Sequence, residues 1–438
     1  MNKNQKNHIT TSLILILVVS LSIFLSGCMG PPSQPYIPKP YVNTTVNNSV
    51  ATNYTPSGVI LNNVVDANNQ FAFDLYSRYQ SKDGNMFFSP YSISSALAMT
   101  YEGAKGQTAQ EMQSVLHLPS DIEKIHSGFA DINNGLNAAG KPYMLSVANA
   151  LWAQKDYPFK QDYFNIVDTY YGGKVTNLNF VKETEKSRVT INTWVEDNTN
   201  KKIKDLIPKG ILSEDTRLVL TNAIYFKANW SSKFNVRSTS DGQFKLSSGQ
   251  GITTSLMHQT SSYNYSENSD MQMLEMDYLG NDLSMLVILP KENNLAQLES
   301  SFSKEKLDAW KKNMTNEKVQ VTLPKFKFEE KYFMKDDLKA MGMPTAFDGS
   351  RADFTGMWTR QNDENLYISQ VIHQTFIEVA ENGTEAAAAT AVIMAETTSI
   401  RVEEPPKIFT ADHPFIFIIQ EKDSGNILFM GRMSDPRQ

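Results

Sequence analysis

Cysteine is nearly missing from this chain: among 438 residues there is one, Cys28. A single thiol excludes an internal disulfide framework, a thiolate zinc cluster and a redox pair. Positive charge is not in surplus either, since 41 Lys and Arg stand against 47 Asp and Glu for a formal charge of -6. Without a basic excess to hold phosphates, nucleic acid is not an expected partner. Histidine is scarce as well. His8, His117, His126, His258, His373 and His413 are the whole set, and no two have ligand-like local spacing, so no metal is expected. Common catalytic motifs are absent: there is no G-x-S-x-G elbow, no H-E-x-x-H pair, no G-x-x-x-x-G-K and no G-x-G-x-x-G. A triad drawn from distant residues is recognised only by geometry, so this search speaks to local motifs alone. On this reading no catalytic residue is assigned, no cofactor is required and an enzyme is not expected.

What the chain does contain is a globular composition, 41% hydrophobic and 20% charged with 22 Gly and 18 Pro. Collagen, a disordered chain and a polytopic membrane protein are all disfavoured by it. Length alone suggests about two or three domains at roughly 150 residues each. The lone cysteine has a telling position. Lys3 and Lys6 precede an apolar run from Ile9 to Leu25, interrupted by Thr11, Ser12, Ser20 and Ser22, and the run ends in Leu25-Ser26-Gly27-Cys28. A basic start, a short apolar stretch and small residues at a cut site describe a secretory signal. Leu-Ser-Gly-Cys resembles the lipobox of prokaryotic lipoproteins. That resemblance implies a signal peptide over 1–27 and a lipidated Cys28 at the mature start; the alternative is an ordinary signal with an incidental cysteine. A lipid anchor holds a protein to a membrane without spanning it. The expected location is therefore extracytoplasmic, at the cell surface or in the periplasm. Residues 28–58 read as a tether, with Pro31, Pro32, Pro35, Pro38 and Pro40 favouring extension and almost no charge. Asn43, Asn47 and Asn53 sit in N-x-S/T sequons within it.

From 59 to 438 no second linker or repeat appears, so one large domain is expected. Amphipathic spacing predicts helices over 66–80, 92–101 and 108–116, the last capped by Thr108, and another over 187–199. Strand patterns follow over 218–226, 283–289, 318–323 and 415–420, with a short apolar segment at 427–431. Helices first and strands afterwards indicate an α+β class.

One segment fits neither pattern. Residues 381–397 are alanine-rich, which favours a surface helix, yet Thr390, Val392, Ile393 and Thr397 favour a strand. At period two, Thr384, Ala386, Ala388, Thr390, Val392 and Met394 share an uncharged face, with Glu385 on the other. A strand this small displaces little packed volume if it slides between other strands.

This segment resembles the reactive-centre hinge of inhibitory serpins: Glu381, any residue, Gly383-Thr384-Glu385, then Ala386, Ala387, Ala388 and Ala389. Four other stretches resemble serpin motifs in family order. They are Asn85-Met-Phe-Phe-Ser89-Pro90-Tyr-Ser92-Ile93, Thr221-Asn222-Ala-Ile-Tyr-Phe-Lys-Ala-Asn-Trp230, Asp412-His413-Pro414-Phe415-Ile-Phe417 and Ile427-Leu-Phe-Met-Gly431-Arg-Met-Ser-Asp-Pro436.

The resemblance implies helices packed on three β-sheets, with an exposed reactive-centre loop able to insert into the large sheet. It implies a suicide-substrate inhibitor of serine-type endopeptidases, acting as a monomer: the protease attacks the loop, and insertion traps the acyl-enzyme. Ser89, Ser92, Asn222 and His373 match the family's shutter, and Trp230 and Glu381 its breach, where insertion starts. Family spacing, with Glu381 as the first of seventeen residues, places the cut at Thr397-Thr398. Thr398-Ser399 is the nearest alternative. A small residue there suits an elastase- or subtilisin-like target, whereas a cut after Arg401 would suit a trypsin-like one. A non-inhibitory serpin-fold protein that binds or chaperones is the other reading of the same fold.

Overall fold

A computed structural model describes residues 58–360, 365–384 and 405–437 of the chain. Its helices are α1 (Gly58–Tyr79), α2 (Pro90–Tyr101), α3 (Gly106–Val115), α4 (Ile122–Leu136) and α5 (Gln161–Ile166). They continue as α6 (Thr184–Asn198), α7 (Leu295–Glu299), α8 (Lys304–Lys312) and α9 (Lys335–Met341). The strands are β1 (Met86–Phe88), β2 (Tyr143–Gln154), β3 (Lys174–Leu178), β4 (Leu218–Asn229) and β5 (Ser240–Lys245). Next come β6 (Gly251–Glu267), β7 (Met271–Asp277), β8 (Leu283–Pro290), β9 (Thr315–Pro324) and β10 (Phe326–Phe333). The remainder are β11 (Ile368–Ala380), β12 (Gly383–Thr384), β13 (Lys407–Thr410), β14 (Phe415–Glu421) and β15 (Ile427–Met433).

A six-stranded sheet in the order β10-β11-β12-β4-β2-β3 is the centre of the molecule. Its middle strands are covered on both faces. Leu218 to Phe226 of β4 are buried without a break, so that strand reads as a continuous apolar run instead of an alternation. One face meets α2, whose start is fixed by Ser89: its side chain accepts from Ser92 N at 3.1 Å, and Pro90 fills the first turn. The other face carries a second apolar cluster in which Ile191 and Val195 of α6 join Trp152, Val219, Ala223 and Ile372.

The expected elements are found at each predicted place, with three differences. Thr108 does not cap α3; it lies buried inside the helix, where its hydroxyl accepts from Asp353 N at 3.0 Å. Strands also occur early. β2 carries Ala148, Asn149, Ala150 and Ala153, which are poor strand formers, but it is held by β3 on one edge and β4 on the other. Finally, the expected three sheets form two hydrogen-bonded networks. The 17-residue β6 pairs β5, β9 and β7 in turn, so strands that could make two sheets are joined in a nine-stranded one.

Candidate functional site

Parallel pairing of β4 and β11 runs from Leu218–Ile368 to Tyr225–Phe376, and beyond it the two strands part. β12 occupies the gap. After Ala380 the chain turns through Glu381 and Asn382, and Gly383–Thr384 return antiparallel to both neighbours. Gly383 faces Ala380 and Asn229; Thr384 faces Val379 and Ala228. Gly383 is glycine for a steric reason. Its φ is +152°, and a Cβ there would meet the Ala228 carbonyl oxygen at 2.0 Å. Only glycine lets β12 approach β4 this closely.

Thr384, the first residue of the uncharged face, is already buried, at 1% exposed. Its hydroxyl lies 2.7 Å from the Tyr278 hydroxyl. Tyr278 stacks on Trp230 with centroids 4.6 Å apart and planes 12° from parallel. Trp230 is thus a buried core aromatic that also grips the turn: its Nε1 donates to Ala380 O at 3.0 Å and its backbone N to Asn382 O at 2.8 Å. Glu381 closes the turn from the other side. Its carboxylate accepts from Thr239 Oγ1 at 2.8 Å and pairs with Lys325 Nζ at 3.0 Å. Burial opposes ionisation of Glu381, but hydrogen bonds from its own backbone, Lys325 and Thr239 outweigh that and hold its pKa below the ordinary value.

Deeper in the sheet, Ser89, Ser92, Asn222 and His373 converge, each 1% exposed or less. Ser89 N donates to His373 Nε2 at 3.0 Å, so the ring proton sits on Nδ1 and is donated to Asn222 Oδ1. Burial lowers the His373 pKa from 6.5 to about 3, and the ring is neutral. Asn222 Nδ2 in turn donates to Ser92 Oγ and Asn149 Oδ1. Ser89 Oγ donates to Leu428 O at 2.6 Å, which ties α2 to β15. With no exposed nucleophile and every ring nitrogen of His373 engaged, this cluster joins strands and does not perform chemistry.

Sequence reasoning missed several partners of these residues. Asn149, Tyr278, Thr239 and Lys325 carry no local motif and become visible only when the fold brings them in. Glu385, Ala386, Ala387, Ala388, Ala389, Thr397, Thr398, Arg401 and Cys28 lie outside the described residues.

Residues 66–436 match the serpin (serine protease inhibitor) family. An uncharacterized serpin-like protein of Thermococcus kodakarensis is 44% identical over 97% of this chain and 99% of its own length. Human leukocyte elastase inhibitor is 39% identical over 84% of this chain and 98% of its own. Among solved structures, human thyroxine-binding globulin complexed with thyroxine superposes with a TM-score of 0.78 at 30% identity, covering 86% of this chain and 99% of that one.

Proposed function

The chain belongs to the serpin family, whose members are mostly protease inhibitors, and on that premise we propose that it is itself a suicide-substrate inhibitor of serine-type endopeptidases. The observation that carries this reading is β12, a two-residue strand set antiparallel between the parting ends of β4 and β11. It is the start of a strand for which the sheet has a seam. Extending the register of Gly383 and Thr384 sets residue 390 opposite both Asn222 and His373, which face each other across the β4–β11 pairing. Thr384 points inward to Tyr278, so by alternation Ala386, Ala388, Thr390, Val392 and Met394 would follow it inward. Thr390 would bring a hydroxyl to the place where the Asn222–His373 hydrogen bond is broken. The opposite face would present Ala387, Ala389 and Ala391 beneath α6 and need little room. A parallel ladder would be replaced by two antiparallel ones, which are slightly more stable per residue.

In this mechanism a protease serine attacks the bait bond and forms an acyl-enzyme, and the freed segment zips into the seam. The protease is carried along and distorted before water can release it. Thr397-Thr398 is the proposed bond, with Thr398-Ser399 and the bond after Arg401 as alternatives. An elastase- or subtilisin-like target suits Thr397, and the likeness to leukocyte elastase inhibitor supports that class. Cys28 is proposed as the lipid anchor that holds the inhibitor on the outer side of a membrane. Likeness to thyroxine-binding globulin favours a second reading, a binding protein that inhibits nothing. The alanine-rich hinge, with its uncharged face of Thr384, Ala386, Ala388 and Thr390, favours the first.

One experiment separates them. The chain from residue 29 onward is incubated with elastase, subtilisin, chymotrypsin and trypsin, and denaturant-resistant complexes are sought on gels. Mass spectrometry of the released C-terminal peptide locates the cut. A covalent complex with an elastase- or subtilisin-class enzyme is expected; cleavage with no complex from any of the four establishes the second reading.

A further inference from the structure

The turn that ends β11 contains a dipeptide able to modify itself. Asn382-Gly383 is one of two Asn-Gly steps in the chain, the other being Asn134-Gly135. After an asparagine, glycine leaves the next main-chain nitrogen unshielded, so that this nitrogen can attack the asparagine's own carboxamide. The two steps sit in opposite backbones. Gly135 lies inside α4, where a helical main chain turns each nitrogen to the carbonyl four residues back and away from the preceding side chain. Asn382 stands in the two-residue turn between β11 and β12, outside both strands. Main-chain bonds fix that turn: Glu381 O accepts from Phe234 N at 2.9 Å and Asn382 O from Trp230 N at 2.8 Å. The Asn382 side chain is half-buried and makes no hydrogen bond with any described residue, so its carboxamide is free to swing towards the Gly383 nitrogen. Position 383 offers no relief, because the Ala228 carbonyl admits only glycine there.

We propose that Asn382-Gly383 is a self-modification site that retires the hinge with time. The Gly383 nitrogen bonds to Asn382 Cγ and loses its proton, the Cγ–Nδ2 bond breaks, and ammonia leaves as a cyclic imide closes. Water then opens the ring. Cleavage of the nitrogen–Cγ bond gives aspartate; cleavage of the nitrogen's bond to the main-chain carbonyl gives isoaspartate, whose main chain runs through Cβ and Cγ. Either product sets a new carboxylate beside Glu381, whose own countercharge is Lys325 at 3.0 Å. Isoaspartate also lengthens the main chain by a carbon and displaces the carbonyl that Trp230 N holds. Gly383, fitted against Ala228 O, then loses its register, and β12 leaves β4. The loss of protease trapping that follows rests on the inhibitory reading; the modification does not.

The test holds the full chain folded at neutral pH over days, then digests it briefly in mild acid. Mass spectrometry with chromatographic separation of aspartyl and isoaspartyl peptides reads the products. Asn382 is expected to convert about tenfold faster than Asn134 or more, since Asn134 must wait for α4 to unwind. In urea-unfolded chain the two should convert at similar rates. Asn382→Gln lengthens the side chain, disfavours the ring and should stay amidated. Hydrogen exchange of Thr384 should quicken in the isoaspartyl fraction, and less so in Asn382→Asp, which carries the charge without the added carbon. Equal conversion of Asn382 and Asn134 in the folded chain would overturn the proposal, as would an Asn382 that stays amide or a Thr384 whose exchange ignores conversion. Against an elastase-class protease, ageing should lower the complex yield of wild type in step with conversion and leave that of Asn382→Gln at its own starting value. Conversion in a chain that traps no protease even when fresh would sink the inhibitory reading and leave the modification standing.

Discussion

Thr384 is the side chain on which the two ends of the proposed mechanism meet. A threonine fits because its methyl is buried and its hydroxyl is answered by Tyr278. An arginine at that position would have to bury a charge beside the neutral Tyr278 hydroxyl, so it should leave the sheet and take β12 with it. Thr384→Arg is therefore expected to keep the far-ultraviolet circular dichroism of the folded chain while turning a trapped protease into released protease and cleaved substrate. Covalent complexes at the wild-type yield in that variant would refute the insertion role. His373 gives a pH dependence of definite sign. Its folded pKa, about 3, lies below the ordinary 6.5, so the unfolded chain takes up the proton first as pH falls. The corresponding stability is intact above pH 6.5 and is lost between there and about 3, at about 1.4 kcal/mol per pH unit. Urea unfolding at pH 7 and pH 4 should show His373→Gln less acid-sensitive than wild type, although less stable at neutrality because the Ser89 N–H loses its acceptor.

β12 shows how a two-residue element can depend on one atom. Any side chain at 383 collides with the Ala228 carbonyl, and backbone cannot move aside as a side-chain tip can. Gly383→Val is expected to undock β12 from β4, raising the hydrogen exchange of Thr384 and exposing Tyr278. If the inhibitory reading holds, the same variant slows insertion and lowers the yield of trapped protease. Equal exchange at Thr384 in variant and wild type would show that the collision is relieved some other way. β2 illustrates the opposite case, an element set by its surroundings. Alanines at 148, 150 and 153 disfavour a strand in isolation, but the small side chains of Ala148 and Ala150 between α6 and the sheet permit close packing. Pairing with β3 and β4 then decides the conformation.

At the scale of the molecule, the intact chain holds a parallel seam closed while an antiparallel start waits at its end. Such a state is held by a barrier and need not be the most stable arrangement of the chain. Cleavage within residues 385–404 should then raise the thermal midpoint by more than about 10 °C, a gain of several kcal/mol at roughly 2 °C per kcal/mol for a large domain. Differential scanning calorimetry of intact and cleaved protein reads this directly, and an unchanged or lower midpoint would rule out insertion.

By itself the sequence determined much at this protein's functional end. The helix over 92–101 could be read because amphipathic spacing is local, and the hinge because a charge-free face at period two needs no neighbours to be seen. Ser89, Ser92, Asn222, His373, Trp230 and Glu381 were legible through ordered motifs. Their partners were not. Asn222 and His373 are 151 residues apart, and Trp230 grips Ala380 across 150. Only the tertiary structure decided that His373 is neutral, that Thr384 is already inside the sheet and that Gly383 answers a carbonyl. The physical reason is the same each time: desolvation and steric exclusion are set by atoms that the fold, and not the order of residues, brings together.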